Sequence, residues 1–171
     1  VINTYKTFEE RVEMKEWGIS KMVNEESKQV KFYGYKHPLS NFYESDFRIG
    51  SFIYPTMEHY FQSQKSSNHW ERIDILMADG PKEAKQMGRE VEELRDNWET
   101  KRLIYMWKGL NAKFDQSKYL KKYLLDTGNA ELVENSPYDS FWGRGKDWEG
   151  ENKLGKMLMK LREDLKDETQ T

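Results

Sequence analysis

The segment Pro55-Thr56-Met57-Glu58-His59-Tyr60-Phe61-Gln62-Ser63-Gln64-Lys65 carries an acid, an amide and a base at helical spacing. Glu58, Gln62 and Lys65 recur at i, i+4 and i+7 and so share one stripe, while Met57 and Phe61 line the adjacent one. Thr56 suits an N-cap, and Pro55 suits the extended residue before it. A polar row beside an apolar row is the pattern of a helix at a cleft wall. Glu58 falls in the first turn, where the helix dipole favours a carboxylate, and it is expected to be ionised. An ionised acid there suits stabilising positive charge or activating water rather than giving up a proton.

A second acid, Asp139, sits among aromatics and glycines in Ser136-Pro137-Tyr138-Asp139-Ser140-Phe141-Trp142-Gly143. Alone, a loop aspartate usually organises a turn. Paired with Glu58, it offers cleavage through an oxocarbenium-like sugar cation. That chemistry needs one carboxylate facing the developing charge and another handling water or the leaving group. The following Trp142-Gly143-Arg144-Gly145 lacks the G-K-[ST] of a phosphate loop. Arg144 offers a phosphate contact there, but as a phosphate signal this is weak, and taken alone a plain loop is the better reading.

Other chemistries have less support. His37, His59 and His69 show no metal-ligand spacing, and the adjacent Glu58 and His59 project about 100° apart on a helix. The chain has no cysteine, which excludes disulfides, zinc–thiolate and iron–sulfur sites, and thiol nucleophiles. No cofactor and no metal are expected. A net charge of -2 argues against a broad binder of phosphate backbones. The cluster Lys118, Lys121 and Lys122 alternates with Tyr119, Leu120, Tyr123 and Leu124, which fits the solvated face of a helix.

The elements that must position these groups follow from pattern. Its 171 residues suit one domain, and 6 Trp, 10 Tyr and 8 Phe supply an aromatic core and an aromatic-lined pocket. Mean hydropathy is -1.01, so the surface is heavily solvated. No apolar run reaches membrane-spanning length and no signal-peptide pattern opens the chain, so no membrane contact and a cytoplasmic location are expected. Residues 1–29 read as an N-terminal extension, with a short helix opening at Thr7 and carrying Phe8 and Val12. Val30-Lys31-Phe32-Tyr33 reads as a strand, and residues 46–54 as a hairpin turning at Gly50-Ser51. Helices follow at Thr56, around Trp70, Ile73 and Met77, and between Pro81 and Gly88. Asn97 is expected to cap the longest helix, with a seam of Leu103, Met106, Trp107, Leu110 and Phe114. A helix over residues 120–125, a short strand or turn over 131–134, and a final helix with Leu154, Leu158, Leu161 and Leu165 complete the chain. The predicted class is α+β: a mainly helical single domain with a small antiparallel sheet.

In order along the chain, Leu39-Ser40-Asn41-Phe42, Tyr54-Pro55-Thr56-x-Glu58-His59-Tyr60-Phe61-Gln62-x-x-Lys65, Gly88-Arg89 and Asn97-Trp98 form a recognisable set. It continues through Lys113-Phe114, Leu125-x-Thr127-Gly128, Leu132-Val133-Glu134 and Asp139-x-x-Trp142-Gly143-x-Gly145 to Gly150-x-Asn152-x-Leu154-Gly155 and Leu158-Met159-x-Leu161-Arg162. This ordered set resembles the NADAR (YbiA-like) family over residues 30–165, and residues 30–171 are expected to form its domain. The resemblance implies a metal-independent N-glycosidase that cuts a ribose–nitrogen bond of early riboflavin-pathway intermediates and releases ribose 5-phosphate. It implies Glu58 and Asp139 as the catalytic acids, and Asn41, Phe42, Lys65, Arg89, Trp98 and Trp142 around a ribosyl or nucleotide substrate. Each has a plainer reading: Trp98, Phe42 and Phe61 suit the core, Asn41 suits loop bonding, and Lys65 suits a partner for Glu58. Two alternatives remain, an ADP-ribosyl hydrolase acting on guanine in nucleosides or DNA, and a non-catalytic ADP-ribose or NAD binding module. The sequence leaves the oligomeric state open.

Overall fold

The computed structural model describes residues 28–169, so the helix expected at Thr7 lies outside the described residues. Two small sheets and six helices are described. Strand β1 (Gln29–Phe32) pairs with β4 (Glu131–Glu134), and β2 (Glu44–Ile49) pairs with β3 (Phe52–Thr56). The β2–β3 pair is the expected antiparallel hairpin, and Gly50 at its tip has the positive φ of 61° that such a turn requires. Its alternation places Phe47 and Tyr54 inward with rings 5.9 Å apart, while Ile53 faces out. The β1–β4 pair is parallel, in the register Phe32↔Glu134, and joins segments a hundred residues apart. Local pattern did not indicate that pairing, because only residues 131–134 and 30–33 meeting in space create it.

Helix α1 (Met57–Ser63) grows directly from β3. Thr56 caps it as expected, its hydroxyl accepting from the His59 amide at 3.3 Å. Helix α2 (His69–Leu76) forms where predicted, capped by Asn68, but its apolar side differs. Trp70 and Met77 are exposed, and Ile75 is the residue that reaches the core. Helix α3 (Pro81–Met87) opens on its proline. Helix α4 (Trp98–Asp115) begins after Asn97, which stands at the N-cap position with a left-handed φ of 57° and makes no side-chain cap bond. Asparagine tolerates that conformation, and its carbonyl rather than its side chain accepts from the Thr100 and Lys101 amides. Helices α5 (Lys118–Asp126) and α6 (Lys153–Thr169) complete the fold.

The core fills the space between α4, α5, α6 and the sheets. Met106, Leu110 and Phe114 of α4 meet Leu120 and Leu124 of α5 and the predicted leucine row of α6. Leu103 and Trp107 sit at its margin, half-buried. Helix α6 lies on β4 and α4 lies on β2, so the two sheets are joined through helices rather than to each other. No helix among the described residues is long and apolar enough to cross a membrane.

Candidate active site

One cavity of about 1300 Å³ opens between the 33–42 segment, α1, α3, the start of α4 and the 134–142 segment. All eight side chains nominated from the sequence line it: Asn41, Phe42, Glu58, Lys65, Arg89, Trp98, Asp139 and Trp142. Glu58 and Asp139, remote in sequence, are close enough for the Asp139 charge to act on Glu58. Further lining groups not anticipated as site residues include Glu134, Lys85 and Arg102. Glu134 carries one legible signal, an acid closing an apolar strand just before the aromatic loop.

Each carboxyl group is held differently. Glu58 is buried in the first turn of α1, where its amide donates to the Asn41 carbonyl at 3.0 Å and its Oε1 accepts from Gln62 Nε2 at 2.7 Å. Burial pushes its carboxyl above the usual range; Lys85, the Gln62 bond and Lys65 oppose the rise, and Asp139 adds to it. The ionised state expected from the helix dipole is therefore disfavoured, because desolvation outweighs a terminal dipole. Asp139 is half-buried, and its Oδ1 accepts from the Phe141 and Trp142 amides at 3.0 and 2.7 Å. These bonds make it the turn residue of its loop, while its Oδ2 takes no hydrogen bond from the described residues. Glu134 ends β4 with its amide donating to Asn152 Oδ1 at 3.0 Å. Burial first, and then the Asp139 and Glu58 charges against an opposing Lys85, push its carboxyl up to about 8.

Cations gather beside these acids. Lys65 lies beyond the end of α1 and donates to the Gly88 carbonyl at 3.0 Å, rather than forming an ion pair with Glu58. Burial lowers its pKa, Glu58 opposes, and the Arg89 and Lys85 charges lower it further. Three cations within range of one another form a place for an anionic group. Arg144 is not part of it, since its guanidinium bonds the Gly150 carbonyl at 3.2 Å and Glu131 at 3.0 Å. Among the histidines, His59 is a fold residue. Its ring nitrogens meet the Thr56 hydroxyl at 2.8 Å and the Ala78 carbonyl at 3.2 Å.

Aromatic rings form another wall. Phe61 stands 5.3 Å from Trp98 and 5.4 Å from Trp142, and Arg102 lies 3.6 Å over Phe141. Trp98 is thus both core and lining, while Phe42 is half-buried near the mouth, with Lys85 5.5 Å from its ring. Asn41 does not organise its own loop; Ser40 does, its hydroxyl accepting from the Phe42 amide. Asn41 Oδ1 is buried with no hydrogen-bond partner among the described residues.

Gly143 sets the closeness of the acids. A Cβ there would lie 2.8 Å from the Glu134 carbonyl and 3.0 Å from both the Asp139 carbonyl and Glu134 Cγ. Gly143→Ala must push the loop off β4, and a stability loss of about 1–3 kcal/mol is expected. Urea unfolding of the variant checks it; an unchanged midpoint would mean that the loop yields freely.

The fold and the cavity together define a known class. The chain belongs to the NADAR domain family, whose model matches residues 17–166. It is 42% identical over 127 residues to N-glycosidase YbiA of Escherichia coli (strain K12), covering 74% of this chain and 79% of that one. It is 37% identical over 144 residues to N-glycosidase Npun_R5314 of Nostoc punctiforme, covering 80% and 92%. Riboflavin biosynthesis protein VVA0006 of Vibrio vulnificus is 36% identical over 130 residues, 75% of this chain and 35% of that one. The NMR structure of E. coli YbiA superposes with a TM-score of 0.77 at 38% identity, covering 84% and 88%. The α+β, mainly helical single domain expected from the sequence is therefore the family fold. By the same kinship the chain is a hydrolase of the N-glycosidase class.

Proposed function

We propose that the substrate is an N-ribosyl compound bearing a 5-phosphate, of the kind formed early in riboflavin synthesis, cleaved to ribose 5-phosphate and a free amine. The observation that carries this reading is the junction, in one cavity, of the carboxyl groups of Glu58, Glu134 and Asp139 with Lys65, Lys85 and Arg89. The cations suit the phosphate, Arg89 by bidentate contact and the lysines as point charges. Trp98 and Trp142 offer faces for the base, and the unpartnered Asn41 Oδ1 suits a ribose hydroxyl. Asp139 supplies negative charge beside the anomeric carbon and receives a proton from the attacking water, with Glu58 lining the same wall. The partial kinship to a riboflavin biosynthesis protein supports the aminopyrimidine as base.

The test is direct: incubation with a ribosylaminopyrimidine 5-phosphate and measurement of ribose 5-phosphate. Rapid release is expected, and none under saturating substrate would refute the assignment. One observation favours a second reading, an ADP-ribosyl group on guanine. The cavity volume of about 1300 Å³ exceeds the common range of about 300–1,000 Å³ for small-ligand sites. Release of ADP-ribose from ADP-ribosylguanosine at a higher kcat/KM than the aminopyrimidine substrate would establish that reading instead.

A further inference from the structure

Among the three carboxyl groups, we infer that Glu134 is the acid that delivers a proton to the departing nitrogen, an inference that rests on this cavity being the site of N-glycoside hydrolysis. An amine leaves poorly as an anion, so some group must protonate it as the ribosyl–nitrogen bond breaks. Asp139 is ill-suited, because its Oδ1 is engaged by two backbone amides and serves the turn of its loop. Glu58 is raised by burial too, but its Oε1 is already engaged by Gln62 and both Lys85 and Lys65 oppose the rise. Glu134 has no such hydrogen bond and a single opposing cation, Lys85. Its carboxyl oxygens accept no hydrogen bond from the described residues, and it is 6% exposed.

The groups facing Glu134 come from every side. Asp139 of the loop and Glu58 of α1 both disfavour its charge, and Lys85 of α3 alone opposes them. Phe32 on the neighbouring strand and Asn152 before α6 bring no charge. Where three carboxyl groups share a site, a retained proton goes to the one with the fewest donors and the most like charge around it. Gly143, packed against both Glu134 and Asp139, keeps the acid and its charged neighbour together.

The step balances without any further reactant. The ribosyl–nitrogen electron pair goes to nitrogen, which takes the Glu134 proton. Water oxygen bonds to the anomeric carbon, and its proton passes to Asp139. Glu134 regains a proton from Asp139 through solvent, leaving the free amine and ribose 5-phosphate.

Two substrates separate this role from a structural one. A ribosylaminopyrimidine 5-phosphate needs a protonated leaving group, whereas 4-nitrophenyl riboside 5-phosphate releases a stable phenolate unaided. Glu134→Gln is expected to lower kcat on the first by about 100-fold or more and on the second by less than about threefold. Asp139→Asn loses both alike. Wild-type kcat/KM on the amine substrate is expected to fall as pH rises past about 8, since the acid must hold its proton. Equal losses on both substrates, or a wild-type profile flat to pH 10, overturn the assignment of Glu134 and leave the glycosidase reading standing. A wild-type enzyme that cleaves neither compound overturns that reading as well. Calorimetric binding of ribose 5-phosphate checks that Glu134→Gln keeps its cavity. If that binding is lost, Glu134→Asp takes its place: reduced amine release with the alkaline limb retained supports the role, and a vanished limb overturns it.

Discussion

Asp139→Asn is expected to lower turnover by about 10³-fold while leaving the protein folded and its KM little changed. The reason lies in how the two Asp139 oxygens are used. Oδ1 accepts from the Phe141 and Trp142 amides at 3.0 and 2.7 Å, and an asparagine oxygen can accept both. The turn, the placement of Trp142 and the packing of Gly143 on β4 therefore survive the change. On the proposed mechanism, what disappears is the negative charge beside the sugar and the proton acceptor for water. A loss confined to kcat is the mark of an interaction made mainly in the transition state. Steady-state kinetics with a thermal melt on the same preparation decide the point. Wild-type kcat in Asp139→Asn would reduce the residue to a turn former.

The second large effect concerns stability. Lys113 is wholly buried, yet it donates to the Pro38 and Ser40 carbonyls at 3.1 and 2.8 Å. Those bonds hold the segment that presents Asn41 to the cavity and accepts the Glu58 amide. Lys113→Met fills the volume but strands both carbonyls, at a cost of about 3 kcal/mol, or roughly 10 °C in Tm. Burial brings the Lys113 amine down to about 7 from its ordinary 10.5. Between those values the unfolded chain binds a proton that the folded chain does not, so the lysine contributes more as pH rises and loses that contribution as pH falls through about 7. The stability gap between wild type and Lys113→Met should therefore widen from pH 6.5 to pH 9. Urea titrations at both values measure it; a constant gap would show that the amine stays charged in the fold.

Much of this molecule can be read from its chain, and the exceptions have physical causes. The helix at Thr56, the Gly50-Ser51 turn and the leucine row of α6 each rest on a local rule that tertiary contacts reinforce. All eight nominated side chains share one cavity because the ordered motifs specify positions that patterns alone cannot. The upward push on the Glu58 carboxyl is not legible in sequence for a definite reason: a terminal dipole is visible there, whereas burial of the helix start is not. Trp70 and Met77 look apolar by type, but α2 turns them outward and sends Ile75 inward. Glu134 went unnominated because its environment comes from β1, α1 and the loop together.

The ribbon formed by β1 and β4 constrains when the enzyme becomes active during its own synthesis. Glu134 is positioned by a strand whose partner, Gln29–Phe32, emerges from the ribosome about a hundred residues earlier. Closing so long a span costs entropy before any contact returns it, and such pairings form late. A nascent chain can thus fold its hairpin and α1 early while Glu58 waits beside an unfinished cavity. Hydrolytic competence is therefore expected only once the carboxy-terminal third has docked.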